Sequence, residues 1–443
     1  MGKKRMLFLS AVIVLVLAVG VQAFDLTEFG FKPAGSYDFG GETVTIISWT
    51  SERMETLYFQ GYLPVLDRVA EAEELFNCKI EFMQTREIPE VNFNRLLSGE
   101  SVNDLWHVQN KIGYWELVSA NALYPVHDLL GDEYYEMLPP SLMAVEEAFK
   151  YQGKYWGLGP VEWRPIYGYQ NDMKFVAYNK TLIEREGLPD PYELYLAGEW
   201  TWDAATDLAV RATQDTDGDG EIDVWGIVGA GATDLAVANG ATMTAVDETG
   251  RVVFVADDPK YIEALEQTTL WWTELGVQMP TYSSGDLGSA FRNGRAAMNF
   301  GISAFNLPEL LENMTDEWGL VPFPMGPSTD RHHWTVQALN TTVIPANAAD
   351  PEALAALRAF LWREEDISIN DFLAAHVNSQ EAADVLLTAN REWEGQASRL
   401  FETFLGDFTT YEREVQQGQR SATAAMAEIK PIIQANLDDL FSQ

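Results

Sequence analysis

An acidic segment with two glycines carries the most specific chemical pattern in the chain. It reads Asp215-Thr-Asp217-Gly-Asp219-Gly-Glu-Ile-Asp223. The four aspartates occupy positions 1, 3, 5 and 9 of a calcium-binding loop, whereas position 12, normally a bidentate glutamate, is Gly226. The spacing predicts one of two structures. Either a structural calcium ion is completed by a carboxylate from elsewhere, or an acidic turn is held by Asx hydrogen bonds without metal.

The chain lacks the usual sequence signatures of hydrolases and nucleotide-binding sites. Gly-x-Ser-x-Gly, His-Glu-x-x-His and Gly-x-x-x-x-Gly-Lys are absent, and His332 and His333 have no partner ligands at metal-binding spacing. The chain contains 67 Asp and Glu residues, so some close carboxylate pair is inevitable. The abundance of Asp and Glu therefore neither supports nor excludes a secreted carbohydrate-active enzyme that uses two carboxylates. This enzyme stays an alternative to a binding protein.

Hydrophobic periodicity predicts strands that alternate with helices. The predicted strands cover 44–48, 80–82, 105–108 and 175–177, and long helices are predicted over 259–275, 351–362 and 421–440. Such alternation implies sheets with both faces covered, whose ligand sites lie beyond the carboxyl ends of the strands.

Four segments follow one another in an order that is informative as a set. Residues 173–180 read Met-Lys-Phe-Val-Ala-Tyr-Asn-Lys, and the elbow Glu-Trp-Thr-Trp-Asp at 199–203 precedes a helix with Thr201 as its predicted N-cap. Phe-Arg-Asn-Gly-Arg-Ala-Ala-Met follows at 291–298, and Trp-Gly-Leu-Val-Pro-Phe-Pro-Met-Gly-Pro at 318–327. This order resembles that of the extracellular solute-binding proteins of the family 1 type, the sugar-binding components of ABC importers.

The resemblance implies a fold of the type II periplasmic-binding-protein kind. Two α/β lobes with mixed, mostly parallel sheets are expected, joined by a hinge that the chain crosses near residues 158–172, 322–338 and 375–395. The expected division is a signal peptide (1–23), an N-terminal linker (24–40), the first part of lobe I (41–160), the first part of lobe II (161–325), a return segment of lobe I (326–385), and lobe II with the C-terminal helices (386–443).

The resemblance also places a carbohydrate in the cleft between the lobes. Sugar hydroxyls need polar partners with fixed geometry, and ring faces need flat aromatic surface. The loops at strand ends offer these ligand-binding candidates: Trp49, Ser51, Arg53, Trp106, Gln109, Asn110, Glu162, Trp163, Ser303, Phe305 and Trp334. Each of them could instead be a packed or merely solvated side chain. Trp202, Trp225, Trp271 and Trp272 are predicted to be structural.

The N-terminus predicts export from the cytoplasm. Lys3, Lys4 and Arg5 precede an apolar stretch at 6–20, and small residues around Ala23 suit cleavage of a secretory signal peptide. An uncleaved N-terminal anchor is the alternative. The only cysteine, Cys78, lies deep in the chain, so the sequence offers no lipid-anchoring cysteine and no internal disulfide. A periplasmic or extracellular location is expected.

Composition and charge limit the partners. Removing residues 1–23 from 443 leaves 420, which suits two domains. The formal net charge of −38 argues against nucleic acid and anionic membrane surfaces. It is either a solubility device or an adaptation to high salt. The resemblance implies a carbohydrate ligand, a membrane permease as partner, a monomer and no required cofactor, with a chemoreceptor-coupled sugar sensor as another alternative.

Overall fold

The computed structural model describes residues 25–48, 65–85, 88–97, 102–110, 113–138, 140–158, 173–336, 338–361, 373–374, 376–393 and 405–441. Its strands are β1 (Thr43–Ser48), β2 (Lys79–Gln84), β3 (Asp104–Gln109), β4 (Lys150–Tyr151), β5 (Lys154–Tyr155), β6 (Gly157–Leu158), β7 (Lys174–Asn179), β8 (Trp225–Val228), β9 (Thr244–Val246), β10 (Val252–Phe254), β11 (Ala296–Ser303), β12 (Trp318–Val321) and β13 (Asn340–Val343).

The helices of the described residues are α1 (Val65–Leu75), α2 (Ile88–Leu97), α3 (Tyr114–Ser119), α4 (His127–Met137), α5 (Pro140–Glu147), α6 (Lys180–Arg185), α7 (Pro191–Leu196), α8 (Trp202–Ala212), α9 (Ala232–Ala238), α10 (Pro259–Thr269), α11 (Ser284–Arg292), α12 (Leu307–Asn313), α13 (Pro351–Leu361), α14 (Gln380–Glu392), α15 (Phe408–Gln416) and α16 (Ala422–Phe441). None of them combines the length and apolar composition needed to cross a membrane.

The strands form two main sheets. The first sheet has the order β2-β1-β3-β13-β6, and the second has the order β12-β7-β11-β8. Both are mixed, as predicted, but parallel pairs do not predominate: β1 is parallel to β2 and β3, and β8 to β11, while the other four pairs are antiparallel. β13 enters the first sheet from β12 of the second sheet, and no helix lies in the described part of this connection (322–336 and 338–339). It therefore joins its neighbours without the helical crossover that is typical of parallel strands.

Successive residues of β1 face two different hydrophobic cores. Ile46 belongs to a core with Leu105 and Leu354 of α13, while Ile47 faces a second core that continues into the second sheet. Successive strand residues point to opposite faces, so burial of both confirms that helices cover the first sheet on each side.

The segment before β1 packs against the first core. Two 3-10 helices (Leu26–Phe29 and Ala34–Ser36) lie within the segment 24–40 that was predicted as an N-terminal linker. Tyr37 stacks on Phe76 with ring centres 5.7 Å apart, and its hydroxyl donates a hydrogen bond to Glu352 of α13 at 3.1 Å. The aromatic side chains of this segment leave water by packing against α13 and Phe76, which holds the segment on the first core.

Helix caps and one tryptophan hydrogen bond fix the helices that flank the second sheet. Asn179 ends β7 and caps α6 by accepting from the Leu182 amide, and Thr201 caps α8 as predicted. Beside Thr201, the buried Trp200 donates from Nε1 to the carbonyl of Pro322 at 2.8 Å. The tryptophan elbow is therefore anchored to the segment that leaves β12.

Candidate functional site

Amide side chains occupy the edge of the first sheet where β1 and β3 end. Gln109 Nε2 donates to Asn340 Oδ1 at 2.8 Å, and Asn110 Oδ1 accepts from the Leu339 amide at 2.9 Å. Asn340 begins the antiparallel β13, so these bonds tie the two strand ends together. Gln109 and Asn110 are both buried, and at least part of their hydrogen-bonding capacity serves the fold.

Two of the predicted stacking residues lie inside the core. Trp106 is fully buried, and its Nε1 donates to Asp104 at 3.3 Å. Trp334 is 3% exposed, contacts Phe175 edge-on and donates to Glu392 at 3.1 Å. Neither ring offers a face to a ligand in this structure. The sequence suggested otherwise because Trp106 was assigned to the loop at the end of the third strand and Trp334 follows the second predicted crossing, yet a sheet covered on both faces buries such positions as well.

Ser303 lies where β11 ends, at the corresponding edge of the second sheet. Its Oγ and backbone nitrogen both donate to Asn306 Oδ1, at 3.0 and 3.1 Å, which closes a 3-10 turn (Ala304–Asn306). Phe305 belongs to this turn, but its side chain lies outside what the structure describes. Opposite Ser303 on β7 is Lys174, which forms an ion pair with Asp234 at 3.3 Å.

Five predicted ligand-binding residues fall outside the described part of the chain, namely Trp49, Ser51, Arg53, Glu162 and Trp163. They remain predictions.

A pocket of about 210 Å³ opens beyond the carboxyl end of β8. The loop 229–231 leads from β8 into α9, and Gly229 has φ of +77°, a conformation that favours glycine. A Cβ at Gly229 would lie 3.0 Å from the amide nitrogen of Gly301, so the ends of β8 and β11 touch here. The pocket therefore lies on the same side of the sheet as Ser303, at the carboxyl ends of the parallel strands β8 and β11. Ligand sites of α/β sheets typically lie beyond such strand ends.

An aromatic pair forms one wall of this pocket. Trp272 stacks on Tyr282 with ring centres 4.9 Å apart and an interplanar angle of 17°. Tyr282 is held in place because its hydroxyl donates to Gln416 at 3.1 Å and accepts from Gln417 at 3.2 Å. Trp272, predicted to be structural, packs on Tyr282 and also lines the pocket.

The π-helical turn Leu270–Glu274 explains how adjacent tryptophans take different roles. Trp271 is fully buried and donates to Thr206 at 2.8 Å, whereas Trp272 is only partly buried and lines the pocket. Two consecutive tryptophans on one helix cannot both face the core. That geometric limit was the one signal in the sequence that could have identified Trp272.

Amides form the floor of the pocket. Gln278 and Gln416 both donate from Nε2 to the carbonyl of Ala230, at 2.9 and 3.4 Å. Gln278 is 3% exposed, and its Oε1 has no hydrogen-bond partner among the described residues. Glu412 is the one carboxylate among the described lining residues, and it accepts from Thr233 at 2.8 Å. The lining thus offers apolar surface and amide groups without the carboxylate pair that glycoside hydrolysis uses.

The acidic loop brings three of its four predicted ligands together. Carboxylate oxygens of Asp215, Asp217 and Asp223 all lie within 4.8 Å of one another. Asp219 lies outside this group, and its Oδ1 accepts from the Glu221 amide at 2.8 Å. Hydrogen bonds from the hydroxyl and amide of Thr216 lower the pKa of Asp223. The turn is therefore anionic and held by Asx hydrogen bonds.

Comparison with solved structures identifies the fold. The chain is similar to the ABC substrate-binding protein Lmo0181 from Listeria monocytogenes in complex with cycloalternan, at 15% identity and a TM-score of 0.61, covering 91% of this chain and 98% of that one. It is similar to the maltose/maltodextrin-binding domain MalE from Bdellovibrio bacteriovorus bound to maltotriose, at 15% identity and a TM-score of 0.62, with 89% and 99% covered.

UgpB from Mycobacterium tuberculosis in complex with glycerophosphocholine is similar at 16% identity and a TM-score of 0.64, with 90% of this chain and 99% of that one covered. These likenesses confirm the predicted α/β fold of the type II periplasmic-binding-protein kind. No curated protein sequence matches the chain.

The sequence profile of the bacterial extracellular solute-binding proteins matches residues 142–375. This span is 234 of 443 residues, which is more than half of the chain. It contains all four motifs on which the resemblance rested, and it confirms the family they predicted. The chain therefore belongs to the bacterial extracellular solute-binding protein family.

Proposed function

We propose that the protein captures a carbohydrate between its two lobes and delivers it to the membrane permease of an ABC importer. The observation that carries the carbohydrate part of this proposal is the pocket beyond β8, which is lined by residues of the proposed lobe II, with the stacked Trp272 and Tyr282 above an amide floor. Two of the similar structures hold saccharides, cycloalternan and maltotriose, which supports a carbohydrate ligand.

The pocket chemistry suits a sugar for two physical reasons. The apolar face of a pyranose ring gains free energy by leaving water against a flat aromatic surface. Its hydroxyls can form hydrogen bonds with the amide and hydroxyl side chains that line the pocket, among them Gln416 and Thr281. We propose that Ser303, Gln109, Asn110 and the predicted residues Trp49, Ser51, Arg53, Glu162 and Trp163 contribute further contacts to the sugar.

We propose that the two main sheets belong to separate lobes with the division expected from the sequence, apart from residues 25–40, which pack on the first core. Met173 pairs with Val336, and the Lys174 amide donates to the Thr335 carbonyl at 2.9 Å. This pairing beside two of the proposed crossings supports a hinge at this place. A hinge built from paired strands lets the lobes rotate while the connection persists.

The further features of the proposal concern metal, location and assembly. Asp215, Asp217 and Asp223 would hold a structural calcium ion, and their mutual proximity supports this. The positively charged and apolar N-terminus supports a cleavable signal peptide and a periplasmic or extracellular location. We propose a monomer that does not bind nucleic acid, in line with the net charge of −38.

The family consists of binding proteins and not of enzymes, as expected from the sequence. A sugar sensor that presents its ligand to a chemoreceptor remains the second candidate from the sequence, but no feature of the described residues favours it over import.

A saccharide panel tests the proposed function. A ligand present at 100 times its Kd stabilises the folded state by about 2.7 kcal/mol, so the cognate sugar should raise the melting temperature. Incubation with the same labelled sugar should give binding without product, and X-ray scattering should show a smaller radius of gyration. Turnover of the sugar would contradict a pure binding role, and an unchanged radius at saturation would contradict hinge closure.

A further inference from the structure

Arg413 lies at the rim of the pocket beyond β8. Its guanidinium carbon is 4.5 Å from the ring centre of Tyr282. Trp272 stacks on the same tyrosine, so the guanidinium must cover the opposite ring face. The three side chains form a stack of Trp272, Tyr282 and Arg413, in which the tyrosine is fixed by its hydrogen bonds to Gln416 and Gln417. The exposed arginine is therefore preorganised.

Apart from its stacking on Tyr282, Arg413 has no charged partner in the described part of the chain. No carboxylate there lies within ion-pairing distance of it, whereas the nearby Arg420 pairs with both Glu414 and Glu428. Among the described residues Arg295 and Arg391 also form no ion pair, but Arg413 is the one of these three arginines that lines the pocket. The neighbouring Glu412 does not supply that partner, and it accepts hydrogen bonds from Thr233 and Tyr261.

We propose that Arg413 binds an anionic group, a carboxylate or a phosphate, on the saccharide whose ring occupies this pocket. This inference rests on the proposed function and names the class of sugar as acidic. A guanidinium presents parallel N–H donors that match two oxygens of such a group, and stacking on an aromatic ring leaves those edge donors available.

The size of the pocket limits what it can hold. About 210 Å³ is below the range of roughly 300–1,000 Å³ typical for drug-sized ligands, so the pocket suits one ring with its substituents. The anionic substituent would lie at the rim, where Arg413 is, while ring hydroxyls reach the amide floor. Distant surface carboxylates oppose the approach of an anion only weakly, because the Debye length is about 8 Å at physiological ionic strength.

Matched sugars and matched variants test the inference. The probes are uronate disaccharides of the gluco, galacto and manno series, their neutral counterparts, and the corresponding hexose 6-phosphates, all measured by calorimetry. The variants are Arg413→Gln and, as control, Arg211→Gln, which removes the same charge from an exposed arginine of α8 that pairs with Asp207. Both variants change the net charge equally, so only the position of the arginine differs.

We expect the wild type to bind at least one acidic probe at least tenfold more tightly than its neutral counterpart. Arg413→Gln should abolish this preference, Arg211→Gln should retain it, and raising the salt concentration should weaken acidic binding in the wild type. Preference for uronates or for phosphates tells which anionic group Arg413 binds, and either supports the inference.

Two results would overturn it. Equal affinity for acidic and neutral sugars, or a preference that survives Arg413→Gln, would reject the role of Arg413 while leaving carbohydrate binding intact. Absence of binding to every saccharide, with a folded protein, would reject both this inference and the proposed function.

Discussion

His107 lies directly opposite Thr342 where β3 pairs with β13. The Thr342 hydroxyl accepts a hydrogen bond from Arg358 Nε at 2.7 Å, which brings a guanidinium close to the buried imidazole. Burial, helped by the charge of Arg358, lowers the pKa of His107 to about 3. The folded protein therefore keeps His107 neutral at a pH at which the unfolded chain protonates it.

The first prediction is a loss of stability in acid that depends on His107. Its pKa is near 6.5 in the unfolded chain and about 3 in the folded one, so unfolding takes up a proton between these values. Stability from this group is complete above pH 6.5 and falls by about 1.4 kcal/mol per pH unit toward pH 3. His107→Asn should show a shallower decline in urea-unfolding free energy between pH 6.5 and 4.

Carboxylates titrate in both proteins, so the difference between the two slopes is the quantity to measure. A wild type and a His107→Asn variant with identical slopes would mean that the imidazole is protonated in the folded state as readily as in the unfolded one.

The second prediction concerns the aromatic wall. Trp272→Ala should weaken binding of the cognate saccharide by about 1–3 kcal/mol, because a large apolar contact with the ring is lost. Tyr282→Phe keeps the stacked ring and should have a much smaller effect. Calorimetry on both variants, with circular dichroism to verify folding, checks this. Unaltered affinity in a folded Trp272→Ala variant would show that the Trp272–Tyr282 pair does not contact the saccharide.

The third prediction concerns the acidic loop. A chelator should lower the melting temperature of the wild type, and Asp217→Asn should abolish this sensitivity. Asp219→Asn should largely retain it, because Asp219 lies outside the group of three carboxylates. Asp247→Asn, in another exposed acidic turn, serves as the control. A wild type without chelator sensitivity and without metal by mass spectrometry would establish a plain Asx turn.

The fourth prediction is stabilisation by salt. With a net charge of −38, repulsion between surface charges opposes the compact state. The Debye length falls from about 10 Å at 0.1 M to about 3 Å at 1 M, so this repulsion should fade. The melting temperature should rise between these concentrations of sodium chloride, a salt chosen over sulfate, which also strengthens hydrophobic burial. A constant melting temperature would show that the acidic residues are already balanced locally.

Much of the fold could be predicted from the sequence because its signals are local. Asn179 and Thr201 act as caps through their own side chains, and the helices at 259–269, 351–361 and 422–441 follow periodic apolar faces. The family could also be predicted, since its four motifs mark turns and strand ends that depend on short-range order.

The predicted predominance of parallel strand pairs was wrong, and the packing of residues 25–40 was not predicted, for a common reason. Whether β7 and β13 run parallel to their neighbours depends on how distant segments meet, and the burial of Tyr37 depends on a helix more than 300 residues away. Neither the strand pairing nor the packing of Tyr37 produces a hydrophobic periodicity in the local sequence from which it could be predicted.

The sequence by itself determined the elements, the family and the acidic loop, because residue type and spacing control those features directly. Only the tertiary structure decided which aromatic side chains can meet a ligand. It buried Trp106 and Trp334 in the core and placed Trp272, Tyr282 and Arg413 around one pocket. The exposure of a ring depends on how every neighbouring element packs against it. These contacts come from segments that are distant in the chain, so the local sequence around the ring does not predict them.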